Sequence, residues 1–410
     1  MDFNDTPEEA AFRSEVRAFL DKNTTRKGPA RAWVDGPVDL ARSKQWQAKK
    51  ADAGFAAILL PKEFGGRGGT PIQQVIYDQE EQGYRVPAGR VFMITLGMCV
   101  PTMIRYATPE QLNRYVKPAI RGEEIWCQLF SEPSGGSDLA GLRTKAERRG
   151  DSWIINGQKI WTSGAHYADF GLLLTRTDFS VPKHEGLTAF FIDMKAPGVK
   201  TQPIKQISGD SQFNEVFFSD LVVPDSHRLG NVGEGWKVAL HTLMNERVAV
   251  ARADGPDFDE VLALARVVYM DGRPAIENAA VRHQLARWYC NTQGLKHTMS
   301  RVITALSKGR APGPEASIMK VVGAGQVLET TAYGLDLLGP AGCAFDSDLV
   351  PMNGYFENYF LRVPGERIGG GTEEIMLNII AERVLKLPGD LRADKDIPFN
   401  ALKTGQGAQR

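Results

Sequence analysis

Hydrophobic positions change their period twice along this chain. In the first segment Phe12, Val16, Phe19 and Leu20 share one face at helical spacing, behind Thr6-Pro7-Glu8-Glu9. That tetrad is a capping box with proline at the first helical position, so a helix is expected to start there. Helical patterns recur at residues 40–53 and 72–82. Near residue 123 the period falls to two. Trp153-Ile154-Ile155 leads into Asn156-Gly157, which reads as a hairpin turn. Apolar strands are predicted at 170–174, 187–192 and 216–223, closing a β block near Pro224-Asp225. After Gly233-Glu234-Gly235 the helical period returns, with long amphipathic helices predicted at 236–253, 280–307, 314–338 and 372–385. A β block between two helical blocks predicts a three-part α+β chain. The expected parts are 1–122, 123–235 and 236–388, followed by a polar, mobile tail over 389–410.

Composition narrows the function classes. The chain has 410 residues, enough for several cores, and 42% of them are hydrophobic. Its 49 basic and 49 acidic residues balance, so no global charge points to nucleic acid or an anionic membrane. No apolar run reaches the roughly 18 residues of a membrane span. Met1-Asp2-Phe3-Asn4-Asp5 lacks the basic-then-apolar order of a signal peptide. Cys99, Cys127, Cys290 and Cys343 lie far apart, which suits a reduced, cytoplasmic protein with buried thiols. The six histidines show no metal spacing, so no metal is expected. Pro61 to Gly69 is glycine-rich, but no Lys-Ser/Thr follows it, and a structural turn is the expectation.

Chemistry concentrates between Gln128 and Ser163. Pro133-Ser134-Gly135-Gly136-Ser137 suits neither a helix nor a packed strand, because its two glycines weaken both. It reads as a loop whose N–H and hydroxyl groups meet a polar or anionic ligand, with a plain surface loop as the competing reading. Trp161-Thr162-Ser163 then places a large aromatic beside two hydroxyls. That combination suits a flat heteroaromatic ring. A core tryptophan followed by a turn is the alternative.

Taken together, Ser131-Glu132-Pro133-x-Gly135-Gly136-Ser137-Asp138 and Asn156-Gly157-x-Lys159-x-Trp161-Thr162-Ser163 resemble the signature of the acyl-CoA dehydrogenase family. The family usually has alanine where this chain has Gly135. The resemblance spans about residues 6 to 388 and implies an N-terminal helical domain, a middle β-barrel-like domain and a C-terminal four-helix bundle. It implies FAD, with Gln128, Phe130, Ser131, Gly136, Trp161, Thr162, Ser163, Thr372 and Glu374 as its contacts. It implies Ser137 and Arg247 near the substrate, or Ser137 near the FAD pyrophosphate.

The reaction implied by the resemblance needs a base for the proton α to the thioester carbonyl. Many members carry a glutamate just before Gly-Thr near the C-terminus, but the matching position here is Gly370. Glu246, in Asn245-Glu246-Arg247, matches members that place the base before this arginine, as in isovaleryl- and long-chain-type enzymes. Leu243, Val248 and Val250 make its surroundings apolar, and a carboxylate in such a cleft is a stronger base. An exposed residue or an ion pair with Arg247 is the alternative reading of Glu246. Gly370 and Gly371 are then expected to offer backbone N–H groups to the thioester oxygen. Residues 269–274 and 336–340 depart from the family pattern at the segments that serve the adenosine end of FAD. The expected activity is dehydrogenation of an acyl-CoA to the trans-2-enoyl-CoA in lipid or acyl-CoA catabolism. An electron-transfer flavoprotein would be the acceptor, and the chain would form a homotetramer or a heterotetramer with a homologous chain. A flavin monooxygenase or oxidase on the same fold, or an FAD-supporting subunit, are the alternatives.

Overall fold

Reciprocal caps decide where three of the N-terminal helices begin. Thr6, Thr70 and Thr108 each accept from the N–H of Glu9, Gln73 or Gln111, whose side chain bonds back to the threonine N–H. Proline fills the next position each time, where its missing donor costs nothing. The computed structural model describes residues 5–27, 38–87, 90–249, 255–307, 316–344, 350–389 and 394–402.

In chain order the helices α1 (Pro7–Asn23), α2 (Leu40–Asp52), α3 (Pro71–Glu81), α4 (Arg90–Ile94), α5 (Val100–Tyr106) and α6 (Pro109–Arg121) come first. The strands β1 (Trp126–Leu129), β2 (Lys145–Arg149), β3 (Ser152–Ser163), β4 (Phe170–Arg176), β5 (Leu187–Asp193), β6 (Val199–Pro203), β7 (Phe213–Pro224) and β8 (Arg228–Leu229) follow. Then come α7 (Gly235–Ala249), α8 (Phe258–Ala265), the short strands β9 (Tyr269–Met270) and β10 (Arg273–Pro274), α9 (Ala279–Ser307), α10 (Ala316–Leu338), α11 (Tyr355–Phe360) and α12 (Glu373–Ile379). The α–β–α order expected from the periodicity is the order observed.

Two compact units form. One takes Met1–Asp39, Arg67–Ala88 and Val250–Pro388. In it α1 and α3 bury Phe12, Val16 and Leu20 with Ile76 and Tyr77, while Arg13 and Arg17 grip Glu80 at 2.9 and 2.7 Å. Its second core gathers Leu264, Trp288, Val327 and Phe356 from α8 to α11. Gly334 lets α10 approach α11, because a Cβ there would lie 2.1 Å from the Phe356 ring. The helix expected over 372–385 is regular only to Ile379 and continues as a π-turn over Ile380–Val384.

The other unit takes Leu40–Gly66, Gly89–Ala249 and Gly389–Arg410. Its sheet has the order β6-β7-β3-β2-β4-β5-β8, with β1 parallel to β4. β4 and β5 are buried on both faces, which explains their unbroken apolar runs. Leu172, Leu174, Ala189 and Phe191 face a core shared with Val100, Met103, Val116 and Val238 of the helices. Leu173, Phe190 and Ile192 point the opposite way, onto Trp153, Val216 and Phe218.

Three expectations are corrected. Asn156-Gly157 is not a hairpin turn but part of the continuous strand β3, opposite a bulge in β7 where Ser219 and Asp220 face the single residue Asn156. The reversal lies at Gly150-Asp151, between β2 and β3. Gly157 is required because its φ is +152° and a Cβ would sit 2.6 Å from Thr144 Oγ1, while the Asn156 side chain binds Asp220. The described part of the polar tail, Asp394–Leu402, is docked rather than mobile. Phe399 is buried, and the Phe399 and Asn400 N–H groups bond Val181 O and Phe179 O at 2.9 Å. Of the four thiols only Cys99 and Cys127 are buried, whereas Cys290 and Cys343 are exposed. Among the described residues no helix is long and apolar enough to cross a membrane, and no group of three acidic, histidine or cysteine side chains is placed to hold a metal.

Candidate active site

A buried ion pair holds the small-residue loop to the sheet. Lys159 on β3 and Glu132 just after β1 are both buried, and Lys159 Nζ donates to Glu132 Oε1 at 2.8 Å and to Phe130 O at 3.0 Å. Glu132 also accepts from the N–H groups of Arg143 (2.6 Å) and Thr144 (2.9 Å), beyond the far end of the loop. One carboxylate therefore ties together the entrance and exit of the loop and β3. Burial pushes the Glu132 carboxyl up, but the Lys159 charge and these hydrogen bonds outweigh it and hold it below the usual carboxylate range. The Ile160 N–H adds a bond to Ser131 O at 2.9 Å, so the Ser131 backbone is fixed beside the strand that leads to Trp161. Between these ties a tight turn pairs Glu132 with Gly135, and Ser134, Gly136 and Ser137 are exposed.

Trp161 follows directly. Its φ is +59°, an uncommon value for a bulky residue, at a second register shift between β3 and β7. The residue is 56% exposed and, among the described aromatic rings, meets the edge of Phe213 at 6.1 Å. A large indole held outward on backbone of positive φ is a candidate surface for a flat ligand. Next to it Thr162 is buried. Its carbonyl accepts from Asn214 Nδ2 at 2.9 Å, yet its Oγ1 has no hydrogen-bond partner among the described residues. Ser163 is half-buried. An exposed flat ring beside an unused buried hydroxyl fits a heteroaromatic ligand that offers a face and a polar edge.

Glu246 belongs to the same unit. α7 is fastened to α5 by a buried bond of 2.9 Å between Thr102 and Thr242, and Leu243 packs on the core that holds Trp126 and Phe130. Glu246 is half-buried, and its Oε2 accepts from Gln128 Nε2 at 3.3 Å. The candidate base and the first residue assigned to the flavin thus meet directly. The side chains of Arg247 and Val248 and the whole of Val250 lie outside the described residues.

The remaining candidates lie in the other unit. Gly370 and Gly371 have φ of +68° and +91°. Thr372 caps α12, its Oγ1 accepting from the Ile375 N–H at 3.2 Å, and Glu374 is exposed on the first turn. The divergent segment 269–274 forms the β9–β10 ladder around Asp271-Gly272, and 336–340 covers the end of α10 and the start of a 3₁₀ turn.

Sequence reasoning quoted Glu132 and Lys159 but assigned them no task, and it missed Asn214. Parity held the signal. Trp153 and Ile155 face inward, and β3 runs on through Gly157 with no extra residue, so Lys159 keeps that same buried face. A lysine at a core position needs a buried anion nearby.

Three family models cover almost the whole chain: the acyl-CoA dehydrogenase N-terminal domain at residues 6–123, the middle domain at 127–221 and the C-terminal domain at 233–385. The chain belongs to the acyl-CoA dehydrogenase family. The acyl-CoA dehydrogenase FadE34 of Mycobacterium tuberculosis is 38% identical over 344 residues, and the chain spans about half (46%) of that protein's length. The acyl-CoA dehydrogenase IpdE1 of Mycolicibacterium smegmatis is 32% identical over 399 residues, covering 93% of this chain and 98% of that one. Among solved structures, the Tcur3481-Tcur3483 steroid acyl-CoA dehydrogenase superimposes with a TM-score of 0.79 at 27% identity, covering 95% of this chain and all of that one. The ChsE4-ChsE5 complex from Mycobacterium tuberculosis follows at 0.77 and 27%, with the same coverage. This acyl-CoA dehydrogenase family is one of flavoprotein oxidoreductases, and the outward Trp161 with the idle Thr162 hydroxyl fits that cofactor.

Proposed function

We propose that the chain catalyses FAD-dependent α,β-dehydrogenation of an acyl-CoA thioester to the trans-2-enoyl-CoA, with Glu246 as the α-proton base. The hydrogen bond from Gln128 to Glu246 carries this reading, because it puts a half-buried carboxylate at the exit of β1, where the small-residue loop begins. A bound flavin supplies the two-electron acceptor for the β-carbon. The chain's own residues do the rest. Gln128 orients the Glu246 carboxylate, which removes the proton α to the carbonyl. The backbone N–H groups of Gly370 and Gly371 are assigned to the thioester oxygen, where negative charge develops. Trp161 packs on the flavin ring, with Thr162 and Ser163 at its polar edge. Phe130, Ser131, Gly136, Thr372 and Glu374 complete the FAD contacts, and Ser137 and Arg247 hold the substrate.

The acyl group is assigned to the bulky, steroid-type class, and the working assembly to a heteromer with a homologous chain. The two solved relatives named above support both assignments, one as a steroid enzyme and both as two-component proteins. An electron-transfer flavoprotein is the proposed acceptor.

Glu246→Gln is the deciding variant. With FAD content matched to the parent, turnover should fall by roughly 10²–10⁴, the usual contribution of a positioned base. Unchanged turnover on the best thioester rejects Glu246. Steroid-type and short straight-chain thioesters, assayed with the chain alone and co-expressed with a homologue, test the acyl class and the assembly.

A further inference from the structure

The described end of the chain, Asp394–Leu402, lies beyond every segment that the family models match. It docks on the residues that fix the exit of the small-residue loop. Phe399 stacks on the buried guanidinium of Arg176 at 3.6 Å from the ring centroid, with the Arg143 guanidinium at 5.5 Å. That Arg176 donates to the carbonyls of Ala140 and Leu142, immediately after the loop. The Arg143 N–H in turn bonds Glu132 at the loop's entrance. Pro398 bridges Pro182 in antiparallel fashion, extending the β4–β5 connection by one short pairing. The decisive contact is Lys183. Its ammonium, only 14% exposed, lies 2.8 Å from Asp138 Oδ1 at the end of the loop and also pairs with Asp394 of the C-terminal segment. One cation therefore joins the loop to the segment Asp394–Leu402.

We infer that Asp394–Leu402 is a positioning clamp that holds the loop from Pro133 to Asp138, through Lys183 and Arg176, in the conformation that receives the coenzyme A end of the substrate. The inference rests on the assignment of Ser137 to the substrate made above. Ser137 precedes Asp138, so a loop released at Asp138 loses the fixed position of its hydroxyl and N–H groups. Preorganised donors bind more tightly than mobile ones, because no ordering is left to be done on binding. The segment is far from Glu246 in sequence, and its contacts with Arg176, Arg143 and Lys183 all lead to the loop, so its effect falls on binding rather than on chemistry.

The test compares the intact flavoprotein with three variants: truncation after Gly389, Lys183→Met and Lys183→Arg. Folding is checked by circular dichroism and thermal melting, and coenzyme A binding is measured by calorimetry independently of turnover. The truncation and Lys183→Met should raise KM for the thioester and the Kd for coenzyme A by about tenfold, the size expected for one lost charged hydrogen bond. kcat should stay within about twofold. Lys183→Arg should restore most of the binding, since it keeps the cation. If the truncated chain fails to fold, Lys183→Met alone carries the same comparison. Folded variants with unchanged KM and Kd, or with kcat falling at constant KM, overturn the clamp. An intact chain that binds no coenzyme A and turns over no thioester overturns the assignment beneath it instead.

Discussion

Lys159 Nζ lies 2.8 Å from Glu132 Oε1 in a site closed to solvent, and this contact joins the two halves of the family signature. Breaking such a pair leaves one buried charge without its partner, which costs far more than the pair itself contributes. Lys159→Met should destabilise the fold by about 3–5 kcal/mol in urea or thermal unfolding. Replacing both residues by apolar ones of similar volume should recover much of that loss. A single variant within about 0.5 kcal/mol of the parent, the range of an ordinary surface change, contradicts the assigned role.

Asp225 gives the acid limb of the stability curve. Its hydrogen bonds from Arg228 and from the Trp153 indole hold its carboxyl at about 2, against an ordinary 3.8. A depressed carboxylate contributes stability that is present above its unfolded value and is lost as pH falls through the folded one. Stability should therefore decline between about pH 4 and pH 2, and Asp225→Asn should flatten that decline. Urea midpoints measured across that range decide it. Parallel curves for parent and variant would remove Asp225 from the account.

Gln128 should matter to chemistry more than to folding. Removing its amide as Gln128→Leu takes a hydrogen-bond donor from a carboxylate. A loss of about tenfold in kcat/KM is expected, with the melting temperature little changed, as for one bond to a charged group. Steady-state kinetics at matched flavin content measures it, and parental kcat/KM would argue against an orienting role.

Trp161 separates cofactor binding from folding. Because it is 56% exposed at φ +59°, Trp161→Gly relieves backbone strain and exposes little new core. Stability should stay the same or rise by up to about 1 kcal/mol. Flavin retention through gel filtration should fall. Destabilisation with full flavin retention would instead mark Trp161 as a packing residue.

Gly157 tests the close packing of β3 opposite the β7 bulge. Alanine there would hold φ near +152° and place its Cβ 2.6 Å from Thr144 Oγ1, beside the Thr144 N–H that binds Glu132. Gly157→Ala should cost about 1–3 kcal/mol, the range for forced overpacking. Parental stability for this variant would show that β3 accepts a side chain at this position.

The sequence pattern alone determined the α–β–α order, the capped start of α1 and the cores of β4 and β5. Those features follow from local geometry, in which spacings of 3.6 and 2 read directly as faces. The two signature blocks were legible for the same reason, since their glycines, serines and tryptophan are close in sequence. Tertiary structure decided what spacing cannot express. Asn156-Gly157 has the sequence of a turn but continues β3, because Thr144 and the bulged Asp220 of β7 occupy its two sides. A polar C-terminus reads as disordered, yet a single phenylalanine and an acidic residue find Arg176 and Lys183 more than 200 residues earlier. Glu246 and Gln128 are likewise 118 residues apart and meet only through the packing of α7 against the sheet. Local pattern reports which face a residue takes, and only the folded chain brings distant charges within reach of one another.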